Sequence, residues 1–434
     1  MIRDRLNVLV YPHDMAMGGS QLNAIELAAA TRDLGHQVTV VGDDGPLVRL
    51  VRELGLRHIP VSSARRRPSP AVARQLRRLV HEEAVDVVHG YEWPPGLEAA
   101  AAAFPLGRAA AVCTVMSMSV APFLPRSMPL VVGTRAIQER AAAGRPGPVH
   151  LIEPPVDVVA NAPGHPVTAF RTAHDLAPGP VEVVVVCRLV PELKLEGVLT
   201  AVDVIGELAR DLPLRLTVVG DGTARATVEE HAAKANARAG RRAVVLTGEI
   251  FDPRPAYAMA DIMLGMGGSA LRSLAFGRPL VVQGEKGFWE LLTTDSVGLF
   301  LQQGWYGVGD GSGGAEQLAP ILRALAADQT RRNELGAYGR RLADERFSLA
   351  RAAVVQEEIY AEALAAARSG PSRARQSAEA LRSMAGVTAH KLRRRYRALR
   401  GTRASEDFNQ VTLARQAATG SPTERNDRTE SRRR

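Results

Sequence analysis

Short valine- and leucine-rich runs alternate along the chain with longer segments whose apolar residues recur every three or four positions. The runs LNVLVYP (6–12), HQVTVVG (36–42), RHIPV (57–61), VDVVHG (85–90), AAAVCTV (109–115) and a stretch around 129–134 have the length and β-branched content of buried strands. Between them, Gln21–Leu34, 46–55, 70–84, 96–104 and 135–144 carry helical spacing. Proline and glycine crowd EPPVDVVANAPGHPV (153–167), which marks a linker. The alternation then restarts with strands at 181–189, 214–222, 243–249, 261–266 and 279–284. Helices are predicted at Glu196–Leu208, Ala224–Ala239, near 254–260 and at Ser269–Phe276, and after a glycine-rich loop near 315–327, 328–345 and 348–367. Strands that are apolar on both faces and separated by helices form parallel sheets covered on both sides. The expected fold is α/β, with two tandem Rossmann-like domains facing a cleft and a basic C-terminal extension. The expected bounds are 1–165 and 166–347, then a helix over 348–367 packing back toward the first domain, then a basic, partly disordered tail over 368–434.

The tetrapeptide MGGS occurs twice, at Met17–Ser20 and Met266–Ser269, each time after an apolar run and before a helix. In open α/β sheets ligands sit at the carboxyl ends of strands, so both turns are expected to line the cleft. A helix start presents unpaired N–H groups and partial positive charge, which suits phosphate. Ser20 and Ser269 are also good helix caps, so a purely structural role explains either turn taken alone. There is no Walker A sequence and no G-x-G-x-x-G fingerprint, which removes the usual support for an ATPase or a dinucleotide dehydrogenase.

Composition narrows the picture further. Cys113 and Cys187 both lie inside apolar runs, as buried thiols of a reducing compartment do, and two cysteines exclude an all-cysteine metal site. The histidines are scattered without metal-ligand spacing, so no metal is expected. No apolar run approaches the roughly 18 residues of a membrane span, and MIRDRLNVLVYP reads as a first strand rather than a secretory signal. The net charge of +9 sits in the tail, where residues 368–434 carry 17 basic and 6 acidic side chains. The remainder is near neutral, so a nucleic-acid-binding fold is not expected. Within the tail, 377–400 has the pattern of a basic amphipathic helix, for which the expectations are a solvated appendage or attachment to an anionic membrane surface. Residues beyond about 401 look disordered.

The strongest local chemistry lies in VVVVCRLVPELKLEGVL, where Arg188 leaves a buried strand and Lys194 follows at a helix start. Two cations projecting from a strand end into a cleft can neutralise a diphosphate leaving group.

Taken in order, GGSQLNAIELAAATRDLGHQVTVV, VDVVHGYEW, CRLVPELKLEGVLTAV, LRLTVVGDG, YAMADIMLG, LAFGRPLVV and RFSLARAAVVQEEIYAEAL resemble the retaining glycosyltransferases of family four, over roughly residues 6–367. The resemblance implies the two-domain GT-B fold and transfer of a sugar from a nucleotide-sugar donor with retained anomeric configuration. The donor would bind mainly to the second domain and the acceptor, a glycan or lipid-linked glycan, to the first. It implies no bound metal and no cofactor beyond the nucleotide-sugar co-substrate. By position, Gly18 and Gly19 become the first-domain loop at the donor, Arg188 and Lys194 the diphosphate clamp, and Gly267, Gly268 and Ser269 the second-domain loop.

Two departures accompany the resemblance. The family commonly has His-x-His after its DVV strand, whereas this chain has His89-Gly90-Tyr91, leaving His89, Tyr91 and Glu92 as candidates for the polar role near the transferred sugar. Family members also carry two glutamates eight residues apart, the second before AMA-x-G-x-P. Here ALRSLAFGRP puts Arg272 in that place, and no glutamate lies between Glu249 and Glu285. An arginine cannot accept hydrogen bonds from ribose hydroxyls, but it can bind phosphate. The following GEKGFWELL offers Glu285 and Glu290, with Glu290 the candidate for a sugar-facing contact and a short helix with Trp289 packed inward as the plain alternative. The expectation is therefore a cytoplasmic retaining glycosyltransferase, peripheral at the inner face of a membrane. The alternative is a catalytically silent relative acting as a binding or regulatory subunit of a glycan-assembly complex. A sugar-nucleotide epimerase would need acid and base residues that the sequence does not single out.

Overall fold

A computed structural model of the chain describes residues 5–62, 67–104, 109–369 and 373–399. The first sheet contains β1 (Asn7–Tyr11), β2 (Gln37–Gly42), β3 (Arg57–Pro60), β4 (Val87–Tyr91), β5 (Ala110–Val115), β6 (Leu130–Val132) and β7 (Val149–Leu151), in the order β3-β2-β1-β4-β5-β6-β7. Every neighbouring pair is parallel, as the doubly apolar strands predict. Its helices are α1 (Gly19–Asp33), α2 (Leu47–Glu53), α3 (Pro70–Glu82), α4 (Trp93–Ala103) and α5 (Arg135–Ala142). Helix α3 shows how they form: Ser69 accepts the Val72 N–H as the cap, Pro70 opens the first turn, and Val72, Leu76, Leu79 and Val80 face the sheet.

After a short helix α6 (Thr168–Ala173), the second sheet contains β8 (Val181–Val186), β9 (Leu214–Val219), β10 (Val244–Gly248), β11 (Ile262–Gly265), β12 (Leu280–Gln283) and β13 (Trp289–Leu291), in the order β10-β9-β8-β11-β12-β13. Only β13 runs antiparallel. Helices α7 (Leu195–Leu208), α8 (Arg225–Ala239), α9 (Arg254–Met259), α10 (Gly268–Ala275), α11 (Val297–Gln303), α12 (Gly314–Ala327) and α13 (Gln329–Arg346) surround it. Each sheet separates two apolar cores, one on either face, so Val183, Val184 and Val185 are all buried. Sequence periodicity missed β13 and α11, because a three-residue edge strand and a two-turn helix are too short to show a period.

Two helices return to the first lobe. Helix α14 (Leu349–Ser369) places Ile359, Tyr360, Ala363 and Leu364 in the core that also holds Val8, Val10 and Ile25. Helix α15 (Arg373–Leu399) follows and sets Val387 into the other core of that lobe. No helix among the described residues is long and apolar enough to cross a membrane. The stretch beyond about 401, expected to be disordered, lies outside the described residues.

A buried ion pair ties the second lobe together. The fully buried carboxylate of Glu182 on β8 accepts from Arg171 of α6 at 3.1 Å and from Nε of Arg215 on β9 at 3.2 Å. Removing one member of such a cluster leaves buried charge uncompensated. Glu182→Ala is therefore expected to lower unfolding free energy by about 3–5 kcal/mol, measured by urea titration.

Candidate active site

Both sheets reverse direction of chain growth beside their first strand, between β1 and β4 and between β8 and β11, which is where open α/β sheets hold ligands. The first MGGS turn follows β1, the second follows β11, and the loop carrying Lys194 follows β8. The three meet across a cavity of about 330 Å³ between the lobes, lined by Gly19, Ser20, Asn23, Lys194, Met266, Gly267 and Gly268 among others.

Neither helix start is capped by a side chain. Helix α1 begins after Gly18 and α10 after Gly267, and neither glycine can supply a capping oxygen. This corrects the capping role expected of Ser20 and Ser269, which lie inside the first turn. The Ser269 hydroxyl instead donates to the Met266 carbonyl at 3.0 Å and pins the loop, while the Ser20 hydroxyl donates to Glu92 at 3.2 Å. Gly267 has φ 56° and ψ −130°, a conformation open to glycine and strained for other residues. At Gly19, which lines the cavity, no atom lies within 4 Å of where a Cβ would stand, so the space beside its backbone is open. Both helix starts thus border one space, and first-turn N–H groups are the kind of donor that suits an anion.

Lys194 joins them. It is half-buried, lines the cavity, and among the described residues no carboxylate pairs with it. Burial pushes its ammonium below the usual lysine range, and the neighbouring Arg188 charge adds to the shift. Behind Ser20 and Met116 of the opposite wall, the buried Glu92 carboxylate accepts from Met116 N–H at 3.0 Å and the Ser117 hydroxyl at 2.7 Å, besides Ser20. Burial raises its pKa, against the pull of those hydrogen bonds.

A family profile described as Glycosyltransferase Family 4 matches residues 17–159, and one described as Glycosyl transferases group 1 matches residues 180–319; together they span more than half of the chain. The chain belongs to the group 1, family 4 glycosyltransferases. A glycosyltransferase from Rickettsia africae ESF-5 superposes with a TM-score of 0.66 at 15% identity, covering 83% of this chain and 99% of that one. Anabaena Alr3699/HepE, solved in complex with UDP, does so with a TM-score of 0.63 at 17% identity, covering 82% and 100%. The catalytic domain of starch synthase IV from Arabidopsis thaliana, bound to ADP and acarbose, gives 0.58 at 13% identity, covering 83% and 99%. The comparison with curated proteins finds no match. The two facing α/β lobes are the GT-B arrangement.

Within this glycosyltransferase several expected site residues are not in the cleft. His89 and Tyr91 alternate onto the face of β4 that α14 covers, and both are buried. The His89 ring is hydrogen-bonded through Nδ1 to the Tyr360 hydroxyl at 2.8 Å and through Nε2 to the Thr114 hydroxyl at 2.7 Å, with Tyr91 stacked on it at 4.5 Å. They are core, and the catalytic expectation for both is corrected. Arg272 is taken by Glu26 of α1 at 2.7 Å across the gap between the lobes, so its charge is already paired and it does not line the cavity. Glu290 sits in the middle of edge strand β13, paired in register with Val282, and does not reach the cavity either. Its neighbour Trp289 packs inward, on a strand rather than a helix. Arg188 is exposed on the Lys194 loop, beside the cavity rather than in its lining.

The sequence reading missed Asn23, whose buried Oδ1 has no hydrogen-bond partner among the described residues, and the aromatic wall of Phe300, Trp305 and Tyr306. The Tyr306 hydroxyl donates to Glu285 at 2.5 Å. The run QQGWYGVG carried the available signal, two aromatics set between glycines in a stretch without period. Among the described residues no group of three His, Cys, Asp or Glu side chains could hold a metal ion.

Burial lowers the His89 pKa from 6.5 to about 3. The unfolded chain therefore takes up this proton first, and the stability tied to neutral His89 is complete above pH 6.5 and lost as pH falls toward 3. Between pH 6.5 and 4 the wild type is expected to lose stability more steeply than His89→Gln, by up to about 1.4 kcal/mol per pH unit, in parallel denaturant titrations.

Proposed function

We propose that this glycosyltransferase moves a sugar from a nucleoside-diphosphate sugar to a glycan or glycolipid acceptor with retention of anomeric configuration. The observation that carries this reading is Lys194, an unpaired, half-buried cation facing two uncapped glycine helix starts across one cavity. That set of donors suits a diphosphate: backbone N–H groups receive its oxygens and the ammonium offsets the charge that grows as the glycosidic bond breaks. Arg188, adjacent on the same loop, is the second member of the clamp once a donor is seated. The binding of UDP by the Anabaena protein and of ADP by the starch synthase, in the same fold, supports a nucleotide donor.

The acceptor hydroxyl attacks the anomeric carbon on the face from which the diphosphate leaves. Its proton passes to the departing phosphate oxygen, so no buried side-chain base is needed. The positive charge at the diphosphate comes from protein, and this reading requires no divalent cation. Met116, Met118 and Ile137 give the first-lobe wall an apolar character that accommodates the acceptor. The enzyme acts in the cytoplasm, at the inner face of a membrane.

The test is a panel of nucleotide sugars assayed for thermal stabilisation and for transfer or donor hydrolysis. Lys194→Ala is expected to lower kcat/KM by about 10²–10³ while the melting temperature of the free protein stays close to wild type. An unchanged rate overturns the clamp, and an inverted product anomer, read by proton NMR, overturns retention. Binding with no turnover of any donor favours the silent-subunit reading, to which the Arg272–Glu26 pair lends weight.

A further inference from the structure

Helix α15 has two apolar faces, and one of them is covered. On the covered face Ser383 and Val387 are buried, Gly386 lies against Phe123, and the His390 ring packs 5.5 Å from Phe123. Glu379 anchors the same face by accepting the Ser127 N–H at 2.9 Å. On the opposite face Leu381 and Met384 are 68% exposed and Leu392 is 59% exposed. At about 100° per residue these three fall within an arc of about 80°, turned away from the docked side. The other exposed large apolar side chains of the two lobes are scattered, only the neighbours Val354 and Val355 sharing an element, whereas these form one stripe.

Charge frames the stripe. Arg382 and Arg393 lie to one side and Lys391 to the other, Arg395 falls within the arc itself, and all but Arg382 lie in the last third of the helix. The helix contains one acidic residue, Glu379, which is engaged on the docked face.

We infer that the free face of α15 is a docking surface for the anionic lipid face of a membrane. A single convex helix offers no groove for a peptide. Its cationic edges can reach lipid phosphates while the leucines and methionine enter the acyl boundary. The surface is also joined to the cleft through one segment. The segment that receives α15 through Phe123 and Ser127 begins with Met116 and Met118, which line the cavity. Resting on the transfer reading above, this deepens it: the acceptor is a lipid-linked glycan presented from the bilayer to the first-lobe wall.

The experiment compares the full chain with Leu381→Ser/Met384→Ser/Leu392→Ser in sedimentation with vesicles of mixed phosphatidylcholine and phosphatidylglycerol, and of phosphatidylcholine alone. The wild type is expected to bind the mixed vesicles, to release them at high salt, and to ignore the neutral ones. The triple variant is expected to bind at least about tenfold more weakly, with an unchanged melting temperature because the replaced side chains are exposed. Lys391→Glu/Arg395→Glu is a second variant expected to weaken binding in the same way, should the first fold poorly. Wild-type binding that both variants retain overturns the assignment of this face while leaving membrane attachment to other basic parts of the chain. No binding by the wild type overturns both. A wild-type dimer that the triple variant dissociates, without vesicle binding, assigns the face to a second copy instead. Donor turnover in solution is measured alongside, so that failure of the transfer reading is seen separately.

Discussion

Positive charge collects on opposing walls of one cleft, and like charges resist being brought together. Each helix start contributes about half an elementary charge, and Lys194 adds a full one between them. The fold holds these walls in place with contacts set to the side of the cavity. Arg272 reaches from α10 to Glu26 on α1, and Arg346 at the end of α13 donates to Glu153 at 2.7 Å, so each pair joins one lobe to the other. Helix α14 completes the link, since it leaves the second lobe and packs into the first. What remains uncompensated is the centre. That charge is what an anion seated there would offset.

The precision of the first wall depends on one strained residue. Glu92 adopts φ 69°, an uncommon conformation for a residue with a side chain, at the junction of β4 and α4. The same carboxylate fastens the first MGGS turn through Ser20 and the exit of β5 through Met116 and Ser117. Three segments distant in sequence are thereby registered against each other by one group. Gly90, two positions earlier, lies where a Cβ would come within 2.6 Å of Pro95 and Gly96 backbone atoms, so the close approach of α4 to β4 needs a glycine there.

The architecture was largely legible, because strands buried on both faces announce themselves as unbroken valine runs and most of the helices are long enough to show a period. The cavity was legible in part. MGGS after a strand locates a turn at a sheet end, and the Lys194 loop follows by the same rule. The residues at 89 and 91 misled because a strand end next to a cleft still has two faces, and the alternation does not say which one a distant helix covers. Tyr360, some 270 positions later, decides that. Arg272 misled for a related reason: a substituted charge can be read from sequence, but its partner Glu26 comes from the other lobe. Sequence pattern reports local periodicity, and both errors arose where long-range partners settle the outcome.

The dependence of the first lobe on α14 has a consequence for synthesis. Residues 359–364 complete a core whose other members lie before residue 153. At ribosomal rates of about 5–20 residues per second, the early lobe waits roughly 10–40 seconds for that helix, with Val8, Val10 and Ile25 lacking their final cover. Shortening the chain from the carboxyl end past residue 359 therefore uncovers the amino-terminal lobe before it removes any strand of the second sheet.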